Sequence, residues 1–294
     1  MLLREKSPAR TLLARSARLA ARRSCLVSAA MEAGSSQARE IETPPPLADG
    51  ALAGKVALIT GGANGLGKAF AEALLTQDAV VTIADIDAET GNATAEELGV
   101  AFEQLDVTDP QANADVVAKT VERFGGLQLL MLNAGIESPF TLGDDFDADA
   151  YRRAMAINVD GVVYGFHAAR PAIIASGGGA VLATASLAGL AAMAPQPVYG
   201  TNKAAVVGLA RALGPAHVAE GIRFNAICPG FADTAIIDGI RDALVGADVP
   251  IIEPSTVADA ALRVMASEDF GRALVVQAGV DPYYQRFPNL PRAR

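Results

Sequence analysis

From Lys55 onward, short apolar runs alternate with longer amphipathic stretches. The runs are Val56–Thr60, Val80–Ala84, Leu127–Leu132, Ala180–Ala185, Ile222–Ile227 and Ala273–Gln277, with a shorter one at Ala101–Leu105. Continuous apolar runs of this length suit strands buried on both faces, and the helix-length segments between them supply the covering layers. The alternation predicts an α/β fold: a Rossmann-like, doubly wound parallel sheet of about seven strands with helices on both faces. Residues 54–280 are expected as a single catalytic domain and 281–294 as a tail, with no repeat of solenoid period.

Residues 1–53 break the pattern. The first thirty hold six Arg and one Lys against one Glu, a balance of +6, and are rich in Ala, Leu and Ser. Such a stretch resembles a mitochondrial transit peptide. The competing readings are an unstructured leader, or an upstream start before a true start at Met31. Thr43-Pro44-Pro45-Pro46 reads as a stiff linker, and 1–53 as a whole is expected to be disordered. A cytoplasmic location is the expectation, with organelle targeting by residues 1–30 as the alternative.

Charge and composition narrow the function classes. The net charge is −9, so the chain beyond residue 30 carries −15, which argues against a nucleic-acid surface. Hydrophobic residues make up 51% of the chain, enough for a sizeable core. No apolar run reaches the roughly 18 to 20 residues of a membrane span. Cys25 and Cys228 form neither a metal pattern nor a disulfide framework, which suits a reducing compartment. His167 reads as a packed or surface residue, and His217 has no acid–cysteine constellation around it, so no metal site is expected.

Two places carry candidate chemistry. Thr60-Gly61-Gly62-Ala63-Asn64-Gly65-Leu66-Gly67 follows the first strand and opens a helix through Lys68–Thr76. Its glycines allow a tight turn and close backbone approach to a pyrophosphate, whose charge is favoured at a helix N-terminus. The second strand ends at Asp85, about twenty residues on, where a carboxylate accepts from an adenosine ribose and repels a 2′-phosphate. Neither Asn64 nor Ile86 supplies a compensating positive charge, so NAD is expected over NADP. Asp106-Val107 and Asn133-Ala134-Gly135 end the third and fourth strands, where ligands sit in such sheets, although either is also ordinary turn chemistry.

The second place is Tyr199-Gly200-Thr201-Asn202-Lys203, whose i, i+4 spacing sets Tyr199 and Lys203 on one helix face. A phenol titrates near pH 10. An ammonium within several Å is expected to lower that value and make Tyr199 a base for a hydroxyl proton. Alone, the spacing equally describes a surface pair. Ser186, after the fifth apolar run, either anchors a substrate oxygen or caps a helix. Asn158, in a long helix, either holds a water linked to Lys203 or is a satisfied structural amide. Gly214-Pro215 is expected to interrupt the Tyr199 helix near Leu213. Asp144–Asp149 reads as a solvated loop and helix N-terminus. Ala235–Val249 is expected to cover the site, with Ile236, Ile237, Ile240 and Leu244 facing substrate or packing down.

Taken in order, Thr60–Gly67, Asn133-Ala134-Gly135, Asn158, Ser186, Tyr199–Lys203 and Pro229-Gly230 resemble the classical short-chain dehydrogenase/reductase family over about residues 54–280. The resemblance implies a tetrad of Asn158, Ser186, Tyr199 and Lys203, with Lys203 also bonding the nicotinamide ribose. It implies that Thr234 reaches the nicotinamide carboxamide, that Val107 flanks adenine, and that Ile227, Pro229 and Gly230 line the nicotinamide site. Ser186–Leu190, Gln196–Tyr199 and Asn225–Phe231 are similar to the NAD-dependent 15-hydroxyprostaglandin dehydrogenase branch, which implies that Gln196 helps hold a substrate hydroxyl. The chain departs from the family at Leu132, where Asn is usual, and lacks its glycine-rich ending. The expectation is an NAD-dependent oxidoreductase acting on a secondary alcohol, apolar or lipid-like, as a homodimer or homotetramer. A keto-acyl or other carbonyl reductase of biosynthesis and a non-catalytic NAD-sensing module are the alternatives.

Overall fold

β1 (Val56–Thr60) is buried at all five positions. Its alternate side chains serve two separate cores, Ala57 and Ile59 in one and Leu58 in the other. β4 (Leu129–Leu132) divides the same way, Leu129 and Met131 against Leu130 and Leu132. A pleat of period two with both faces covered requires such an uninterrupted apolar run. A computed structural model describes residues 41–138 and 141–288. The leader and residues 289–294 lie outside the described residues.

The remaining strands are β2 (Val80–Asp85), β3 (Ala101–Gln104), β5 (Gly179–Thr184), β6 (Ile222–Pro229), β7 (Ala273–Gln277) and β8 (Val280–Tyr284). They form one sheet in the order β3-β2-β1-β4-β5-β6-β7-β8, parallel except for the last pair. Strand order reverses between β1 and β4, and the crevice outside the carboxyl ends of strands at such a point is where ligands bind in doubly wound sheets. On one face lie α1 (Gly65–Leu75), α2 (Ala88–Leu98) and α8 (Pro254–Ala266), which contribute Phe70, Leu74, Ala95, Val257 and Leu262 to the first core. On the other lie α3 (Pro110–Phe124), α5 (Gly161–Ala175) and α6 (Pro197–His217), with Val116, Phe166, Ile173, Val206 and Ala210. α4 (Ala148–Met155) runs into α5 through a π-helical turn at Ala156–Asp160. A short α7 (Arg241–Gly246) completes the set.

Aspartates set three helix starts. Asp87, Asp109 and Asp147 each accept two backbone N–H bonds at the N-termini of α2, α3 and α4, each such cap contributing about 1 kcal/mol. The acidic run Asp144–Asp149 thus includes a working cap. Among the described residues no helix is long and apolar enough to cross a membrane.

Three expectations change. α6 does not stop near Leu213 but continues through Pro215 to His217. A proline there removes one N–H donor, yet the last turn is held from outside. Gly214 lies so close to Gly271 that a Cβ would stand 2.3 Å from its nitrogen. Beyond the turn, Glu220 binds both Arg170 of α5 and His217. Second, the boundary at 280 falls one strand short: β8 pairs antiparallel with β7, across an irregularity between Val275 and Gln277. Its Pro282 is tolerated because an edge strand needs no full ladder. Third, residues 41–53, expected with the disordered segment, pack on the domain. Tyr284 N donates to Glu42 O at 2.8 Å, Arg263 bonds the carbonyls of Pro44 and Pro45, and Leu52 is buried.

Candidate active site

The turn after β1 is closed by backbone contact. Gly61 has φ +65°, and a Cβ there would stand 2.8 Å from Ala134 Cα. Gly65 has φ +53°, and its Cα faces the methyl of Thr234, 3.2 Å from where a Cβ would stand. Thr60 Oγ1 accepts from the N–H groups of Asn133 (3.0 Å) and Ala134 (3.2 Å), and Asn133 Nδ2 donates to Gly61 O at 3.1 Å. Asn64 is the N-cap of α1 but makes no side-chain cap bond, in contrast to the Asp-capped helices. The turn therefore presents backbone N–H groups and no acidic side chain at the helix start, which suits an anion. Gly67 and Leu66 begin the helix behind it, Gly67 buried and Leu66 half-buried against the first core.

Asp85 braces this turn. Its Oδ2 accepts from Ala63 N and its Oδ1 from Asp87 N, both at 3.1 Å. Ile86 beside it is exposed, and Lys68 on α1 is paired with Glu97. Asp106 holds its own loop, accepting from the N–H and hydroxyl of Thr108. Val107 is buried, its side chain against Gly161.

The other half of the site is built from β5 and α6. Ser186, extended just past β5, caps the short 3-10 turn Leu187–Gly189, its Oγ accepting from Ala188 N at 3.1 Å. The cap reading of this serine is correct, and its hydroxyl also interacts with the Tyr199 phenol. Gln196 and Pro197 start α6, proline being well suited to the first helical position. One turn in, Lys203 is only 4% exposed, and its Nζ lies 5.7 Å from the Tyr199 ring centroid. That Nζ donates to Thr184 O at 2.8 Å, while Thr184 Oγ1 donates to Asn133 Oδ1 at 3.0 Å.

Burial governs both titrating groups. It pushes the Tyr199 phenol up to about 12, with Ser186 opposing and the charge of Glu137 adding to the rise. The direction is opposite to the expected lowering: removal from water is the first cause for this half-buried residue, and the Lys203 ammonium, 5.7 Å from the ring centroid, is not among the causes. Burial likewise brings Lys203 down to about 8. Cys228, buried beneath, is pushed up to about 12 by burial, against the pull of Ser186 and Lys203.

Asn158 sits in the π-helical turn. Its Oδ1 accepts from Ile136 N (2.8 Å) and its Nδ2 donates to Ile136 O (2.9 Å). The amide is satisfied by backbone, and it also stands beside the lysine: a Cβ on Gly135 would be 3.1 Å from Asn158 Oδ1 and 3.3 Å from Lys203 Nζ. Pro229 ends β6, and Gly230, tied to Val276 O, faces Leu187 and Ile252. The cover splits the four apolar residues expected of it. Ile237 and Leu244 pack down, Ile240 is half-buried and Ile236 is exposed, while Arg241 ties the segment to Asp233 at 2.5 Å and Asp238 at 3.0 Å.

Sequence reasoning missed Thr184 and Glu137. Thr184 is the hydroxyl residue that ends an apolar run, a weak but readable signal. Glu137, which accepts from Gln196 Nε2 at 3.3 Å, lies in a loop with no pattern to mark it. Among the described residues no group of His, Cys, Asp and Glu is arranged to hold a metal ion.

A family model described as short chain dehydrogenase matches residues 55–244. A sorbitol dehydrogenase of Cereibacter sphaeroides is 41% identical over 194 residues, 64% of this chain and 75% of that protein. The 15-hydroxyprostaglandin dehydrogenase (NAD(+)) of Homo sapiens is 38% identical over 200 residues, 64% of this chain and 72% of that protein. Among solved structures, levodione reductase superposes with a TM-score of 0.71 at 28% identity, covering 78% of this chain and 98% of that one.

Proposed function

This chain belongs to the short-chain dehydrogenase family, and we propose that it oxidises a secondary alcohol with NAD, Tyr199 taking the carbinol proton. The observation that carries the reading is a continuous set of hydrogen bonds from the chemistry to the nucleotide turn: Lys203 to Thr184, Thr184 to Asn133, Asn133 to Gly61. Relatives named as sorbitol, hydroxyprostaglandin and cyclohexanol dehydrogenases support the reaction class.

The residues present suit NAD. Gly61, Asn64, Gly65, Leu66 and Gly67 would hold the pyrophosphate, whose charge the uncapped start of α1 favours. Asp85 would accept from the adenosine ribose, with Asp106 and Val107 on the adenine side. Asn133, Ala134 and Gly135 would floor the site, and Pro229, Gly230 and Thr234 would flank the nicotinamide. When bound, NAD accepts the hydride from the carbinol carbon.

The chain's own groups handle the proton. Ser186 and Tyr199 hold the carbinol oxygen, Gln196 standing beside them. A phenol raised to about 12 is a weak acid, so losing its proton needs a cation close by. Lys203, titrating at about 8, is mainly the ammonium at neutral pH and supplies that charge, with Asn158 fixing Ile136 and the wall beside it. The exposed Ile236 suits an apolar substrate body, and association as a homodimer or homotetramer belongs to the same proposal.

The test is NADH formation from a panel of secondary alcohols by wild type and Tyr199→Phe. The variant is expected to lose on the order of 10²- to 10⁴-fold in kcat while binding NAD as before. Undiminished turnover would remove Tyr199 from its role.

A further inference from the structure

Glu137 follows Gly135 by two residues, so the chain runs from the Lys203–Asn158 contact to the start of α6. There it is half-buried and accepts from Gln196 Nε2 at 3.3 Å. Among the described residues it has that one hydrogen bond and no ion pair. The residue it accepts from, Gln196, starts α6 three positions before Tyr199, and the Glu137 charge adds to the rise of that phenol. A carboxylate offers about four lone-pair positions, and one amide N–H occupies only one of them.

Gln196 gives one of its two amide N–H groups to Glu137 and keeps the other together with its amide oxygen. The carboxylate of Glu137 is therefore the acceptor with lone pairs to spare on this side, while the hydroxyls of Ser186 and Tyr199 serve the carbinol oxygen. A molecule held at those hydroxyls meets the Gln196–Glu137 pair with its next atoms. An unpaired carboxylate in a partly dry site rewards a hydrogen-bond donor and repels another anion.

We infer that Glu137 is a specificity-determining residue. With Gln196 it selects alcohols bearing a donor, hydroxyl or amine, on the carbon next to the carbinol, and it turns away those with a carboxylate there. The inference rests on the alcohol-oxidation reading above and narrows its substrate class: an apolar body is compatible, an adjacent acid group is not.

The experiment compares NADH formation from cyclohexanol, cyclohexane-1,2-diol, 2-aminocyclohexanol and 2-hydroxycyclohexanecarboxylate. In wild type, the diol or the amino alcohol should exceed cyclohexanol in kcat/KM by about tenfold, mainly through KM, with the hydroxy acid about tenfold below it. Whichever donor wins names itself. Glu137→Leu should erase the donor advantage. Glu137→Gln, which keeps an acceptor without the charge, should restore turnover of the hydroxy acid and retain most of the diol preference. Donors no better than cyclohexanol in wild type, or ratios unchanged in both folded variants, would overturn the inference and leave alcohol oxidation standing. Failure to oxidise any of the alcohols despite NAD binding would overturn both. The wild-type ratios decide the matter even if a variant does not fold.

Discussion

The ammonium of Lys203 donates to the carbonyl oxygen of Thr184 at 2.8 Å, which pins the helix that carries Tyr199 to the end of β5. The bond is made by a side chain almost wholly removed from water, and a buried charge with a neutral partner costs stability that a hydrogen bond only partly offsets. The burial of Lys203 thus costs the fold stability, as expected of a group kept for the proposed chemistry.

That expense is measurable through pH. Lys203 titrates at about 8 in the folded protein against 10.5 for the free side chain. Between those values the unfolded chain holds a proton the folded one has released, so stability rises with pH across the window. The shift corresponds to roughly 3 kcal/mol at most. Lys203→Met should therefore raise Tm at pH 7 by roughly 2–4 °C for each kcal/mol recovered, flatten stability between pH 8 and 10.5, and abolish turnover. A lower Tm in the variant, measured by calorimetry across that range, would contradict the argument.

Gly135 sets the space around the same ammonium. A methyl group there would stand 3.1 Å from Asn158 Oδ1 and 3.3 Å from Lys203 Nζ, closer than such contacts usually run. The end of a lysine yields more easily than a buried backbone, so Gly135→Ala should displace Nζ rather than unfold the protein. Expected are a fall in kcat of about tenfold and a loss of stability below about 1 kcal/mol, read by steady-state kinetics and thermal denaturation. A large fall in Tm with kcat intact would mean the space serves packing alone.

Much of this was legible in the sequence, and the exceptions have physical reasons. β4 is apolar throughout and β1 is apolar up to its last residue, Thr60, because both faces are covered, so the apolar pattern marks them, and the glycine turn announces itself by composition. β8 escaped notice because Val-Asp-Pro-Tyr-Tyr has no strand pattern. It is held by partners distant in sequence, including Tyr284 Oη to Asp269 at 2.6 Å and the Glu42 carbonyl. Pro215 reads locally as a helix end, and only the contact of Gly214 with Gly271 shows why the helix continues. The i, i+4 spacing reveals Lys203 but not the removal from water that raises the Tyr199 phenol. Gly61, Asp85, Asn158, Ser186, Tyr199 and Lys203 are candidates that position alone picks out, whereas the Glu137–Gln196 bond needs the folded loop.

Asp85 makes the cofactor choice testable. Its two oxygens each accept a backbone N–H, so it organises the turn, and in the proposed function its charge would repel a 2′-phosphate. Asp85→Asn keeps an acceptor and removes the charge. The ratio of kcat/KM for NAD over NADP should fall about tenfold or more, equivalent to about 1.4 kcal/mol, chiefly through tighter NADP binding. An unchanged ratio, from parallel titrations with both cofactors, would show that Asp85 acts only on the turn.

The far end of α6 offers a separate test of how that helix survives Pro215. Glu220 binds the Arg170 guanidinium and His217 Nδ1 together, and its carboxyl is held down to about 2, by the Arg170 bond first and the His217 bond next. A carboxylate with a depressed folded pKa contributes stability above its unfolded value of 4.5, and that contribution is lost as pH falls toward 2. Glu220→Gln should lower Tm at pH 7, and the gap to wild type should close progressively between pH 4.5 and 2. Because the clamp acts on the helix that presents Tyr199 and Lys203, the variant should also raise amide exchange in residues 212–217 before it affects the first turn. A Tm gap independent of pH would show that Glu220 acts by shape rather than charge, and the persistence of α6 beyond Pro215 would then rest on the Gly214–Gly271 contact alone.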